Sequence, residues 1–250
     1  MRVLITGGSG GIGFAVACAF ASDGHEVILA DINLALAQEK AAELSASGGQ
    51  ASALLLDLTR QDSIEQAAAA AGAVDILVNN AGIQHVARLD DFPEQKWQQL
   101  LQVMLTGPAM LSKALLPGMR SRGFGRIVNV GSIHALVASP FKSAYVAAKH
   151  GLLGFSKVVA LENADFDFTI NTICPAYVRT PLVDAQIAAQ CKEHQLSETE
   201  VIEKIMLAPM PQKAFIGVDE IAATALFLTA PAARHITAQT LVLDGGWTAR

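Results

Sequence analysis

The chain has 250 residues, a formal net charge of −5, 52% hydrophobic residues and only 16% charged ones. That is enough apolar material for a sizeable core, and the acidic balance excludes the basic footprint that nucleic-acid binding needs. The sequence opens on "MRVLITGG" with no charged leader and contains no run of 18 apolar residues, so neither a targeting segment nor a transmembrane helix is expected, and the expected location is the cytoplasm. Cys18, Cys174 and Cys191 have no metal-type spacing; they fit unreactive thiols in a reducing compartment, and no metal site is expected.

In chain order the first predicted element is a strand, "RVLITG", followed by "TGGSGGIG" from Thr6 to Gly13 and a helix over 12–22. A glycine turn between strand and helix lets backbone N–H groups approach a pyrophosphate at the helix N-terminus. Gly7, Ser9, Gly11, Ile12 and Gly13 are therefore candidate cofactor contacts. The second strand, "EVILAD", ends in Asp31, eighteen residues after Gly13. A carboxylate there can accept from the adenosine ribose hydroxyls and repels a 2′-phosphate, which favours NAD over NADP. Its other reading is an N-cap for the helix over 34–46. The third strand, "ASALLLDL", carries Asp57 and Leu58 at its end. Asp57 either accepts from the adenine amino group or closes a turn.

A helix over 62–71 leads to a fourth strand, "VDILVNNAG", with Asn80, Ala81 and Gly82 at its carboxyl end and Gln84 just beyond. A fifth strand, "GRIVNVGS", delivers Ser132. Thirteen residues later comes Tyr145, and Lys149 follows four after that, on one face of a helix. His134 and Lys142 lie between. "FTINTICP" is the sixth strand and "QTLVLDGG" the seventh. The segment at about 182–212 between them is helical, polar and without a strand, and is read as a substrate-covering lid.

Apolar runs without alternation are strands buried on both faces, and alternation with helices builds a parallel sheet from βαβ units. The expected fold is α/β: one doubly wound, Rossmann-type domain over 1–250, about seven strands, with helices on both faces.

"TGGSGGIG", "NNAG" at 79–82, Ser132 and Tyr145-x-x-x-Lys149 together resemble the short-chain dehydrogenase/reductase family. The resemblance extends through "PAYVRTP" at 175–181 to the terminal "DGG". It implies a hydride-transferring enzyme in which Tyr145 handles the alcohol proton and Ser132 steadies the substrate oxygen. Lys149 would favour the phenolate and hold the nicotinamide ribose. Asn80, Ala81, Gly82, Pro175, Val178 and Thr180 would touch the cofactor, and a homotetramer is implied. Free tyrosine, with a pKa near 10, is a poor base at neutral pH, so the Lys149 cation and an oxidised nicotinamide are each expected to favour the phenolate.

Within the family, "NNAGIQHVA", "GSIHALVAS", "KSAYVAAKHG", "RTPLVDAQI" and "DGGWTAR" are similar to members acting on a small 3-hydroxy acid. The implied reaction is the NAD-dependent interconversion of D-3-hydroxybutyrate and acetoacetate. Gln84, His134, Lys142 and Gln186 then hold the substrate carboxylate, because a small anion needs a cation and several donors. Trp247 walls off the pocket or packs in the core. The chain departs from the family at Met104, in "VMLTG", where an Asn is usual in a water relay to the lysine, and at Ala176, where Gly is frequent. Two alternatives stay open. One is the same chemistry on another small hydroxy acid, a polyol or an acyl thioester; the other is a non-catalytic NAD-binding sensor.

Overall fold

The computed structural model describes residues 1–249. Seven parallel strands form one sheet: β1 (Arg2–Thr6), β2 (Glu26–Asp31), β3 (Gln50–Leu55), β4 (Ile76–Asn79), β5 (Phe124–Val130), β6 (Asp167–Pro175) and β7 (Thr240–Leu243). Their order is β3-β2-β1-β4-β5-β6-β7. The order reverses between β1 and β4, and the carboxyl ends of strands at such a switch point form the ligand crevice of open α/β sheets. Ile5, Leu29, Val78 and Ile173 in neighbouring strands are wholly buried, which explains why these runs lack polar alternation.

Helices α1 (Gly11–Ser22), α2 (Leu34–Ala46) and α9 (Val218–Thr229) cover one face. Helices α3 (Gln61–Ala71), α5 (Gly107–Arg122) and α6 (Ser143–Glu162) cover the other. Helix α4 (Glu94–Leu101) continues through a π-helical turn, Gln102–Thr106, into α5. Pro108, at the start of α5, has no N–H to donate back into that turn.

Among the described residues, Glu94–Arg122 is the one helix long and apolar enough to cross a membrane, with a mean hydropathy of 1.2. The absence of an 18-residue apolar run in the sequence did not anticipate it. Its buried residues, Leu100, Met104, Leu111, Leu115 and Met119, pack inside the fold. Gln98, Gln99, Gln102 and Lys113 interrupt its apolar surface, as in the core helix of a sheet protein.

The expected helical insertion consists of α7 (Pro181–His194), α8 (Glu198–Val201) and a second π turn, Ile202–Met206. Thr180 caps α7 by accepting from the Val183 N–H, and Ser197 and Glu200 form a reciprocal capping box on α8. Val183, Ile187, Val201 and Met206 form a small core of their own. The Arg179 guanidinium joins both helices, donating to Asp184 and to Glu198 at 2.9 Å each.

Candidate active site

The glycine turn is shaped by close contact. Gly7 and Gly11 hold φ of +61° and +51°, the left-handed region that favours glycine. A Cβ on Gly13 would lie 2.1 Å from the Gly7 carbonyl oxygen, so any side chain there would displace the turn. Gly10 is the N-cap of α1 and supplies no capping side chain. The first N–H groups of α1 therefore have no side-chain acceptor, and Gly10, Gly11 and Ile12 line a cleft of about 490 Å³. That arrangement fits a phosphate group.

The loop after β4 is locked onto the turn. Asn80 donates its amide to the Thr6 and Gly7 carbonyls at 3.0 Å each, and Thr6 Oγ1 accepts from the Asn80 and Ala81 N–H groups. Asp31 also ties to the turn: one carboxylate oxygen accepts from Ser9 Oγ at 2.6 Å and the other from the Asn33 N–H at 3.0 Å. A dinucleotide fits these residues, because α1 offers free amides for its phosphates and the carboxylate stands at the end of β2.

Ser132 leaves β5 in extended conformation and accepts from the His134 N–H at 3.1 Å. Lys149 is only 4% exposed; its ammonium donates to the Val130 carbonyl at 2.7 Å and lies 5.7 Å from the centre of the Tyr145 ring. Burial lowers the Lys149 pKa to about 8. The Tyr145 phenol, expected to be favoured as phenolate by Lys149 and an oxidised nicotinamide, sits in a buried place. Among the protein's own groups, burial dominates and raises it, and the influence that opposes this is a hydrogen bond with Ser132. Cys174 lies behind Ser132, fully buried, and burial raises its thiol too.

Lys142 enters the same cleft from the start of α6. Among the described residues no carboxylate pairs with it; its ammonium sits 5.9 Å from the centre of the Tyr177 ring, and burial lowers its pKa. His134 is 4% exposed, and its Nε2 lies 2.7 Å from Ser139 Oγ. Burial, reinforced by the Lys142 charge, holds His134 down at about 4, so it is neutral at physiological pH. Gln84 accepts from the His85 N–H at 3.1 Å through its carbonyl, and Gln186 reaches the cleft from α7.

The cleft thus brings together Gly7, Gly11, Ile12, Asn80, Ala81, Gly82, Gln84, Ser132, His134, Lys142, Tyr145, Lys149, Pro175, Val178, Thr180 and Gln186. Ser9, Gly13, Asp31, Asp57, Leu58 and Trp247 do not line it. Asp57 closes a turn, accepting from Thr59 through both its N–H and its hydroxyl, and Leu58 is buried. Trp247 stands behind the cleft wall, its ring 6.2 Å from His134 and 6.1 Å from Tyr177. Sequence reasoning missed, among the lining residues, Gly10, Leu36, Ile83, Val130, Gly131, Ile133, Ala176, Tyr177, Pro181 and Val183. Tyr177, within "PAYVRTP", was the one with a legible signal: an aromatic side chain at the carboxyl end of a strand.

A glycine turn on a doubly wound sheet, with a Tyr, Lys and Ser lining one cleft at the carboxyl ends of its strands, is the arrangement of a nucleotide-binding α/β domain. The chain belongs to the short-chain dehydrogenase family, whose model, described as "short chain dehydrogenase", matches residues 1–190. It is 42% identical to the D-beta-hydroxybutyrate dehydrogenase of Rhizobium meliloti (strain 1021), over 99% of this chain and 98% of that protein. It is 39% identical to the enzyme of the same name from Cupriavidus necator, over 99% and 97%. It is also 42% identical to the uncharacterized oxidoreductase YxjF of Bacillus subtilis (strain 168), over 99% and 98%. Among solved structures, an actinorhodin polyketide ketoreductase variant with NADPH superposes with a TM-score of 0.94 at 30% identity, covering 100% of this chain and 97% of that one.

Proposed function

We propose that the protein is a NAD-dependent dehydrogenase that interconverts D-3-hydroxybutyrate and acetoacetate. The observation that carries the reading is the half-buried ammonium of Lys142, without a carboxylate partner among the described residues, in the cleft that also holds Ser132, Tyr145 and Lys149. A cation kept from water without a carboxylate is costly, and a small anionic substrate offsets that cost. Two relatives of matching length carry the hydroxybutyrate dehydrogenase name, which supports the same substrate.

Ser132 Oγ–H donates to the substrate oxygen and holds it beside Tyr145. The Tyr145 phenolate takes the hydroxyl proton in oxidation, and the phenol returns it in reduction. When bound, a nicotinamide dinucleotide supplies the hydride acceptor or donor. The Lys149 ammonium can leave the Val130 carbonyl for the nicotinamide ribose and, together with the positive nicotinamide ring, offset the burial that raises Tyr145. The N–H groups at the start of α1 hold the phosphates. The Asp31 carboxylate, still able to accept beyond its Ser9 and Asn33 bonds, favours a free ribose hydroxyl over a 2′-phosphate, hence NAD. Lys142 binds the substrate carboxylate, with Gln84, neutral His134 and Gln186 donating around it. The α7–α8 segment covers the substrate, and the working unit is a cytoplasmic homotetramer.

The test is NADH formation, read by absorbance, with a panel of short hydroxy acids, polyols and 3-hydroxyacyl thioesters, each with NAD and with NADP. The expected result is a preference for D-3-hydroxybutyrate and NAD of at least tenfold in kcat/KM. Greater turnover of a neutral polyol or of a thioester would overturn the substrate reading, and equal use of NADP would overturn the role of Asp31.

A further inference from the structure

The Lys142 ammonium is borne on a long side chain that leaves a loop. The preceding residue, Phe141, has φ of +67°, and Lys142 itself is the N-cap of α6 without a capping hydrogen bond. A lysine stem has many rotamers, and a charge that wanders among them binds an anion weakly. Among the described residues the Lys142 ammonium makes neither an ion pair nor a hydrogen bond; its contact is with the face of Tyr177, 5.9 Å from the ring centre. Tyr177 in turn stacks on Trp247, with ring centres 6.1 Å apart and planes 23° from parallel. Trp247 and His134 meet edge to face with ring centres 6.2 Å apart, and His134 and Tyr145 likewise at 6.0 Å.

Both members of the stack stand on rigid backbone. Tyr177 follows β6, where the Ala176 N–H donates to the Leu243 carbonyl at 2.8 Å and the Tyr177 carbonyl accepts from the Ile216 N–H at 2.9 Å. Trp247 sits inside a turn closed by Asp244, whose carboxylate accepts from the Gly246 and Thr248 N–H groups and from the Thr248 hydroxyl. The stack is therefore a fixed post, with the Lys142 ammonium against Tyr177 and the His134 ring against Trp247.

We propose that Tyr177, backed by Trp247, is a positioning residue that places the Lys142 ammonium for the substrate carboxylate, and so sets the preference for acids over uncharged analogues. This rests on the reading of Lys142 as the carboxylate partner. The face of the ring does the work: its negative quadrupole attracts the cation and its planarity confines the stem. The phenol hydroxyl is not required.

The experiment measures kcat/KM for D-3-hydroxybutyrate and for its methyl ester in the unaltered protein and in Tyr177→Phe, Tyr177→Leu, Lys142→Met and Tyr177→Leu/Lys142→Met. Tyr177→Phe keeps the ring face and should retain the acid-over-ester ratio. Tyr177→Leu should lower it by about three- to tenfold, mainly through KM for the acid. In the Lys142→Met background the same change should leave the ratio where Lys142→Met alone puts it. If Tyr177→Leu does not fold, Tyr177→Met takes its place with the same expectations. A Tyr177→Leu ratio equal to that of the unaltered protein, where Lys142→Met lowers it, overturns the positioning role and leaves the carboxylate reading standing. A further fall of similar size in the double variant also overturns it, since Tyr177 would then act independently of Lys142. A ratio that Lys142→Met does not change overturns the carboxylate reading, and the positioning role with it.

Discussion

Tyr145 carries the proton in the proposed reaction, and its phenol begins above the ordinary range because burial disfavours its charge. Tyr145→Phe removes one hydroxyl and no backbone contact. Turnover should fall at least about 100-fold, the usual scale for lost acid–base catalysis, while NAD affinity measured by fluorescence titration stays within about twofold. Near-normal turnover would remove Tyr145 from the chemistry. His134 makes a separate statement about pH. Its folded pKa of about 4 lies below the ordinary 6.5, so the folded state resists the proton that the unfolded chain accepts. Above pH 6.5 both states are neutral and the group contributes no slope. As pH falls from 6.5 to 4 the unfolded chain binds more protons and stability is lost, on the order of 3 kcal/mol for this buried ring. His134→Asn should therefore show a smaller drop in thermal midpoint between pH 7 and pH 4.5 than the unaltered protein. Equal drops would mean that the imidazole is not held neutral. Asp57 marks where residue-level reading stopped: an adenine contact and a turn closure use the same carboxylate, and in the structure one of its oxygens accepts both Thr59 bonds of the turn.

At the scale of elements, the join between α4 and α5 is the feature that propensity does not announce. Gln102–Thr106 adopts a π-helical turn, with the Gly107 N–H reaching back to the Gln102 carbonyl. Met104, where the family usually has Asn, is 1% exposed there and packs with Leu100, Ala144 and Ala148. An amide at that position would be buried among apolar side chains at a cost of about 1–3 kcal/mol. Met104→Asn should therefore lower the thermal midpoint by about 2–10 °C with turnover changed less than twofold. Unchanged stability with faster turnover would instead place a water chain beside this turn. The strands and the helices over 12–22, 34–46 and 62–71 were legible because their signals are local: apolar runs ended by glycine or an acid, and alanine-rich helical spacing. The π turn was not, since it reflects the fit of one long helix against α6 and the sheet.

For the whole molecule, several large apolar side chains face outward: Leu161 at 80% exposure and Val158 at 54% on α6, and Phe227 at 46% on α9. Single exposed apolar residues are ordinary, but on the outer faces of helices in a family expected to be tetrameric they fit subunit contacts. Light scattering should give four copies of the 26.2 kDa chain, and Leu161→Glu should shift the mass to a smaller assembly. A monomer in the unaltered protein would sink the tetramer, and an unshifted mass in the variant would exclude α6 from the interface.

The sequence by itself determined the seven strands, the glycine turn, and the Tyr145–Lys149 pair on one helix face, because each depends on neighbours within a few residues. It also supplied the residue types proposed for an anion pocket. Only the tertiary structure decided how they are used. Asn80 reaches Thr6 across 74 residues of chain to lock the turn. Lys142 finds an aromatic face instead of a carboxylate, and Trp247 becomes the backing of that face from the far end of the chain. The Tyr145 phenol is raised by its burial in the completed fold. Burial and long-range pairing control each of these outcomes, and neither is a property of a local stretch: the cost of a charge depends on how much water the completed fold leaves around it.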